Sequence, residues 1–131
     1  MTVVGSARPD LVAHARAMRS EPAAVVAGLR DLVGARLVAY LGGVKETRAV
    51  RQWADGSRAV QDPTVQRRLR LAFQVAGLLV ERDSPAVVQS WFQGMNPSLG
   101  DRAPARVLVE DDLDEAGPRV LAAARAFAAN D

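Results

Sequence analysis

The sequence predicts an all-α protein, and three observations support this prediction. First, Ala, Leu and Arg are abundant along the 131 residues, and all three favour helices. Second, no segment shows the sustained alternation of apolar and polar residues that marks a strand. Third, a capping oxygen directly precedes a proline, which suits a first helical turn, at Ser20-Glu21-Pro22, Asp62-Pro63 and Ser84-Pro85.

Glycines and apolar spacing delimit the helices of the first half. Residues 1–19 are expected to be an arm with a short amphipathic helix, whose apolar residues are Leu11, Val12, Ala15 and Met18. Helices are then expected at Ala23–Val33, at Arg36–Leu41 up to Gly42-Gly43, and at Lys45–Ala54 up to Asp55-Gly56. The clearest helix follows Asp62, where apolar residues recur at helical spacing from Val65 to Leu79.

The second half is expected to contain three shorter helices. These are Pro85–Gln93, Pro104–Val109 and a last helix at about Pro118–Ala128. We accordingly divide the chain into the arm (1–19), a unit with a helix-turn-helix and dimerisation helices (20–82) and a small helical C-terminal module (83–131). The sequence contains no run of about 18 apolar residues and so predicts no membrane span. Cysteine is absent, so no disulfide is expected. We expect a cytoplasmic protein.

The charges are unevenly distributed although the net charge is only +2. Residues 30–70 contain nine basic and four acidic side chains, whereas residues 101–131 contain four basic and seven acidic ones. Such asymmetry indicates a half that faces nucleic acid. Solvated helix faces would produce the same totals, and the sequence leaves both interpretations open.

The sequence offers little for catalysis. The single histidine, His14, lies in the arm, and no thiol is available as a nucleophile. The acidic run at 110–115 lacks the spacing of a calcium loop and is expected to be a solvated linker that caps the next helix. Gly42-Gly43 is not followed by the Lys-Ser/Thr of a phosphate loop. We therefore expect no enzyme, no cofactor and no metal site.

The segment from Leu37 to Gly56 has the layout of a helix-turn-helix. Two short helices flank a glycine turn, and the second has Val50 and Trp53 as apolar anchors. Its outward side chains are candidates for contacts with phosphates and base edges, namely Lys45, Thr47, Arg48, Arg51 and Gln52. Because this layout also occurs in purely structural modules, a role without DNA contact stays open.

The C-terminal module carries the closest family resemblance. It contains Trp91-Phe92, then the turn Asn96-Pro97 with Leu99, then Arg102 to Leu108 with Pro104, and finally Val120 to Phe127. With the upstream pattern Val50-x-x-Trp53-x-x-Gly56, this order resembles the Xre/MbcA/ParS family of antitoxins over about a hundred residues.

The resemblance implies a partner and a set of contacts. Members of this family bind a RES-domain toxin, which destroys NAD, and cover its active site; some also self-associate and repress their own operon. For this chain it implies a toxin-binding C-terminal module, a homodimer and operator DNA as a further partner, with no membrane contact. The implied partner-binding residues are Arg119, Arg125, Phe127, Asn130 and Asp131. The residues implied to shape the module are Trp91, Asn96, Pro97, Leu99 and Pro104.

Simpler interpretations stay open beside this one. Trp91 and Phe127 are also typical of an ordinary helical core, and Asn96-Pro97 of an ordinary turn. A helix-turn-helix transcriptional regulator without a toxin partner would account for the basic half. A scaffold or dimerisation protein would account for the helices and have neither activity.

Overall fold

The computed structural model describes residues 9–19 and 21–130, and these residues are mainly helical. The α-helices within them are α1 (Pro9–Arg19), α2 (Pro22–Val33), α3 (Ala35–Gly42), α4 (Thr47–Asp55), α5 (Pro63–Val80), α6 (Pro85–Gln93), α7 (Pro104–Glu110) and α8 (Leu113–Ala129). A 3-10 helix spans Pro97–Leu99, and an isolated bridge joins Asn96 to Arg102. The predicted all-α fold is confirmed.

Helix α5 lies at the centre of the fold. It packs against α1, α2, α3, α6, α7 and α8. Most of its residues between Leu69 and Leu79 are buried, on almost every side of the helix. A helix that is apolar around most of its circumference is stable only when other helices enclose it. Side chains from all eight helices accordingly join one hydrophobic cluster around α5.

Two of the predicted helix starts are capped as expected. The Asp62 carboxylate accepts a hydrogen bond from the Thr64 N–H at 2.8 Å, and the Ser84 hydroxyl accepts one from the Val87 N–H at 3.3 Å. In both cases a proline follows the cap. Its lack of an N–H loses no hydrogen bond there, because N–H groups in the first helical turn have no intrahelical partner. At the third predicted start the N-cap is Glu21, which makes no side-chain capping hydrogen bond, so that predicted cap is not formed by Glu21; Ser20 lies outside the described residues.

The predicted start of the last helix at Pro118 is wrong. Helix α8 begins at Leu113, so Pro118 lies inside it. An interior proline removes a backbone hydrogen bond, which is normally unfavourable. Here the ring is exposed to solvent, while Leu113 and Ala116 are buried and hold the first turn against the core. Burial therefore overrides the local preference for a proline start.

The predicted apolar face of α1 is also wrong. Leu11 and Val12 are exposed, and the residues buried against the core are Ala13 and Ala17. The reason is a close approach to α5, because a Cβ placed on Gly77 would lie 3.4 Å from the Ala13 Cβ. Only small side chains fit such a contact. Residues 1–8 of the predicted arm and the Met18 side chain lie outside the described part of the chain.

Arg68 ties the two halves of the fold together. Its Nη1 donates to the Leu41 carbonyl and its Nε to the Leu108 carbonyl, each at 3.0 Å. Both carbonyls lie in the last turn of a helix, α3 and α7 respectively, where carbonyl groups lack intrahelical partners. One guanidinium from α5 thus satisfies the ends of two helices that are distant in the sequence.

Candidate interaction surfaces

The first candidate surface is built on the turn between α3 and α4. The Trp53 ring lies directly on Gly42, where an added Cβ would come within 2.6 Å of the ring carbon Cζ3. Gly43 follows with φ of 73°, a left-handed conformation that glycine adopts without strain. Trp53 and Val50 are buried, as their anchoring role requires. These contacts fix the direction in which α4 leaves the turn.

The predicted DNA-contacting side chains are mostly exposed on and before α4. Lys45, Thr47, Arg48 and Arg51 are exposed, and Gln52 is half-buried. Arg48 and Arg51 share one side of α4, opposite the buried Ala49 and Trp53, because their spacing corresponds to about one helical turn. We name Lys45, Thr47, Arg48 and Arg51 the α4 face.

Some basic side chains of this region are available to bind an external anion. Within the described residues, neither Lys45 nor Arg48 has a hydrogen bond or an ion pair through its side chain. The far end of α4 carries Asp55, whose pKa is held below its ordinary value of 3.8 by hydrogen bonds from Ser57, and secondarily by Arg51 and Arg30. The Asp55 carboxylate is therefore charged near neutral pH and limits the basic surface on that side.

Three arginines counted with the basic half have structural contacts instead. Arg67 pairs with Asp114 at 2.6 Å, Arg68 holds the two helix ends, and Arg70 donates to the Ala17 carbonyl at 2.7 Å. The excess of positive charge in residues 30–70 is consequently not a single nucleic-acid surface. The basic side chains without such contacts are concentrated near α3, the turn and α4.

The second candidate surface lies in the C-terminal module. The rings of Trp91 and Phe92 meet edge to face, with centroids 5.3 Å apart and planes at 85°. The Asn96 side chain accepts a hydrogen bond from the Ser98 N–H at 2.9 Å, which begins the 3-10 helix. Of the other residues expected to shape the module, Leu99 and Pro104 are buried and Pro97 is exposed. The Asn96 turn thus places the 3-10 helix against α8.

Between these elements lies a groove of about 350 Å³, which we name the Trp91 groove. Trp91 and Phe127 form its aromatic part, with ring centroids 6.4 Å apart. Met95 stands at its edge with 81% of its surface exposed. Sequence reasoning missed Met95, although a long apolar residue between Gly94 and Asn96 in a turn is a signal for an exposed contact.

The residues predicted to bind a partner do not share one surface. Phe127 and Asn130 line the Trp91 groove. Arg125 lies almost opposite Phe127, since two residues turn an α-helix by about 200°. Arg119 is half-exposed and its Nη1 lies 3.8 Å from the Asp111 carboxylate. Asp131 lies outside the described residues.

An ion-pair network, which we name the Arg102 network, adjoins this surface. Arg102 pairs with Asp111 at 2.9 Å and with Glu110 at 3.1 Å, and Glu110 also pairs with Arg106 at 2.7 Å. The predicted solvated acidic linker is thus largely paired at its first two residues. The hydrogen bond from Arg102 holds the pKa of Asp111 below its ordinary value, and that from Arg106 does the same for Glu110.

The chain has no match that would assign it to a family. No protein-family model, curated protein or solved structure matches the chain. No helix in the described ranges is long and apolar enough to cross a membrane. Among the same residues, no three His, Cys, Asp or Glu side chains are grouped so that they could hold a metal ion.

Proposed function

We propose that this chain is a cytoplasmic antitoxin that binds a RES-domain toxin through the Trp91 groove and the adjoining side of α8. The observation that carries this proposal is the exposed apolar groove. Contiguous apolar surface rimmed by polar residues marks interaction sites, and here Met95 adjoins the Trp91–Phe127 pair, with Asn96, Ser98 and Asn130 lining the same groove. Exposed methionine and aromatic residues are typical anchors of protein interfaces.

The groove alone is too small for a stable complex. Specific interfaces bury about 1,200 Å² or more in total, so the partner must also cover neighbouring surface. Arg119 lies one helical turn before Ala123, which lines the groove, and so extends this surface toward the start of α8. An apolar centre flanked by polar residues is the usual anatomy of such an interface.

Substitutions at the groove test this proposal. We expect Met95→Ala and Phe127→Ala each to weaken binding of the toxin about tenfold or more, since truncating a central apolar anchor removes most of its contact. The measurement is titration calorimetry with the protein encoded next to this chain. Val87→Ala is the matched control, because Val87 is an exposed apolar residue that does not line the groove. Truncation inside α8 is unsuitable, since it removes core residues such as Val120 and Ala124.

Two outcomes would contradict the proposal at different levels. If the neighbouring protein is not a toxin, or does not bind the chain, the antitoxin function fails. If it binds and both groove variants match Val87→Ala, the function stands and the Trp91 groove is the wrong surface. Circular dichroism melting of each variant separates lost contacts from lost folding.

A second function, operator binding, is favoured by the α4 face. Exposed cations without partners at the start of a helix that follows a tight turn are suited to phosphates and base edges. This mode of binding uses a homodimer that reads two half-sites. We expect the variant Arg48→Glu/Arg51→Glu to weaken binding to the DNA upstream of the gene by about tenfold or more, with a steep salt dependence in the unaltered protein. Salt-insensitive binding would rule this function out.

A further inference from the structure

A cleft between α3, α6 and α7 is lined by side chains that neither proposed function uses. Arg36 and Tyr40 of α3 line it together with Phe92 and Gln93 of α6 and Arg106 of α7. Its volume is about 260 Å³. We name it the α3–α7 cleft. It lies between the N-terminal unit and the C-terminal module. Its residues precede in the sequence the α8 residues that line the Trp91 groove.

The side chains at the mouth of this cleft are suited to a sugar–phosphate chain. Tyr40 is 43% exposed, so its ring and hydroxyl are both accessible. Arg36 is exposed and has no hydrogen bond or ion pair through its side chain within the described residues. Two guanidinium groups that flank a phenol can donate to phosphate oxygens while the ring packs against a sugar or base. An aliphatic or purely aromatic ligand would leave Arg36 without a partner.

Arg106 can also release its present partner. Glu110 accepts from both Arg106 and Arg102, and Asp111 lies near both Arg102 and Arg119. Three arginines thus share two carboxylates. If Arg106 turns toward a phosphate, Glu110 keeps Arg102 as its partner, so no carboxylate is left uncompensated.

The exposed side of α3 leads from the cleft toward the turn before α4. Arg36, Tyr40 and Gly43 are exposed and follow the spacing of a single helix face along α3. That face ends at the turn, where the exposed Lys45 and Thr47 lead into α4. When the second helix of such a pair enters the major groove, the first helix crosses the backbone beside it.

We propose that the α3–α7 cleft binds the sugar–phosphate backbone of duplex DNA beside the groove that α4 enters. This inference rests on the proposed DNA contact of α4 and extends it to Arg106, a residue of the C-terminal module. Its consequence is that DNA touches both halves of the chain, with Arg36 and Tyr40 on one wall of the cleft and Arg106 on the other.

Salt-dependent binding of the full chain to the upstream duplex tests the cleft directly. We expect Arg36→Gln and Arg106→Gln each to reduce the slope of log affinity against log salt by about one, because each removes one phosphate contact. The loss should be equal for different DNA sequences, since phosphates carry no sequence information. Arg36→Lys should retain most of the slope, because lysine still neutralises a phosphate.

Arg82→Gln is the matched control. It removes the same charge from an exposed residue that lines neither the cleft nor the α4 face. If the cleft variants match this control while Arg48→Glu/Arg51→Glu loses binding, the cleft proposal is overturned and the α4 contact stands. If the unaltered chain binds no DNA, both proposals fall. If the cleft variants weaken only the binding of a protein partner, the cleft serves an acidic protein surface and the DNA proposal for it is wrong.

Discussion

The α4 face and the Trp91 groove present two different kinds of surface on one helical core. The α4 face is a set of exposed polar and basic side chains on a short helix, anchored below by Trp53 and Gly42. The Trp91 groove is an apolar depression between two helices, and its edges are set by the Asn96 turn and the Arg102 network. Binding at the α4 face should therefore depend mainly on charge, and binding at the Trp91 groove mainly on the apolar area that a partner buries.

Because of this difference, salt should affect binding at the two surfaces differently. Contacts of exposed cations with phosphates weaken steeply as salt rises, because bound counterions are no longer released favourably. Apolar burial hardly responds to moderate salt, and it strengthens with excluded salts. A partner that binds through the Trp91 groove should therefore survive conditions that release DNA from the α4 face.

The largest expected effect comes from removing the tryptophan that supports each surface. Trp53 is 5% exposed and Trp91 8%, so Trp53→Ala and Trp91→Ala should each lower the free energy of unfolding by about 3–5 kcal/mol. Urea denaturation followed by circular dichroism measures this loss. Because one cluster spans all eight helices, each variant should still unfold in one transition. A second transition in Trp53→Ala would instead show that the two surfaces belong to separately unfolding units.

A smaller effect is expected at the link between the two halves. Arg68→Met keeps the aliphatic part of the side chain and leaves the carbonyls of Leu41 and Leu108 without the guanidinium. The expected loss is about 2–3 kcal/mol, since hydrogen bonds to a charged group contribute more than neutral ones. Urea denaturation again provides the measurement, with Arg67→Met as control.

The Arg67→Met control distinguishes the effect of a partly buried guanidinium from that of an exposed one. Arg67 also pairs across the fold, with Asp114, but both side chains are mostly exposed. Exposed pairs contribute about 0–1 kcal/mol. If Arg67→Met proves as destabilising as Arg68→Met, the special role of Arg68 at the two helix ends is wrong.

The smallest effect is a pH dependence confined to the C-terminal surface. The folded-state pKa values of Glu110 and Asp111 lie below their ordinary values of 4.5 and 3.8, because Arg106 and Arg102 stabilise the carboxylates. The stabilisation is present above those ordinary values and is lost as pH falls through the lowered ones. Thermal melting between pH 6 and about pH 3 should show a shallower acid decline for Arg102→Gln than for the unaltered chain. Equal declines would mean that the network does not contribute to stability.

The helical class and most helix positions follow from the sequence because their causes are local. Asp62 and Ser84 cap the helices that they precede, and the apolar residues spaced along α5 from Leu69 to Leu79 are buried. Val50 and Trp53 are buried as predicted from their spacing on α4. Caps, propensities and periodicity act within a few residues, so they can be recognised without the fold.

Other features depend on neighbours that are distant in the sequence. The sequence does not distinguish Arg68, which holds two helix ends, from the exposed Arg48, since both are arginines on helices. Leu11 is exposed and Ala13 buried because α1 approaches Gly77 closely, which only the packing of α1 on α5 decides. The early start of α8 likewise follows from the burial of Leu113.

By itself, the sequence determined a helical chain with a basic stretch before the centre and a structured turn around Asn96. Only the tertiary structure decided which arginines remain available, that Met95 and Phe127 border one groove, and that Arg36 and Arg106 share one cleft. The physical reason is that secondary structure is set by short-range backbone preferences. Surfaces arise where distant segments meet, and their composition depends on which side chains the core has already buried.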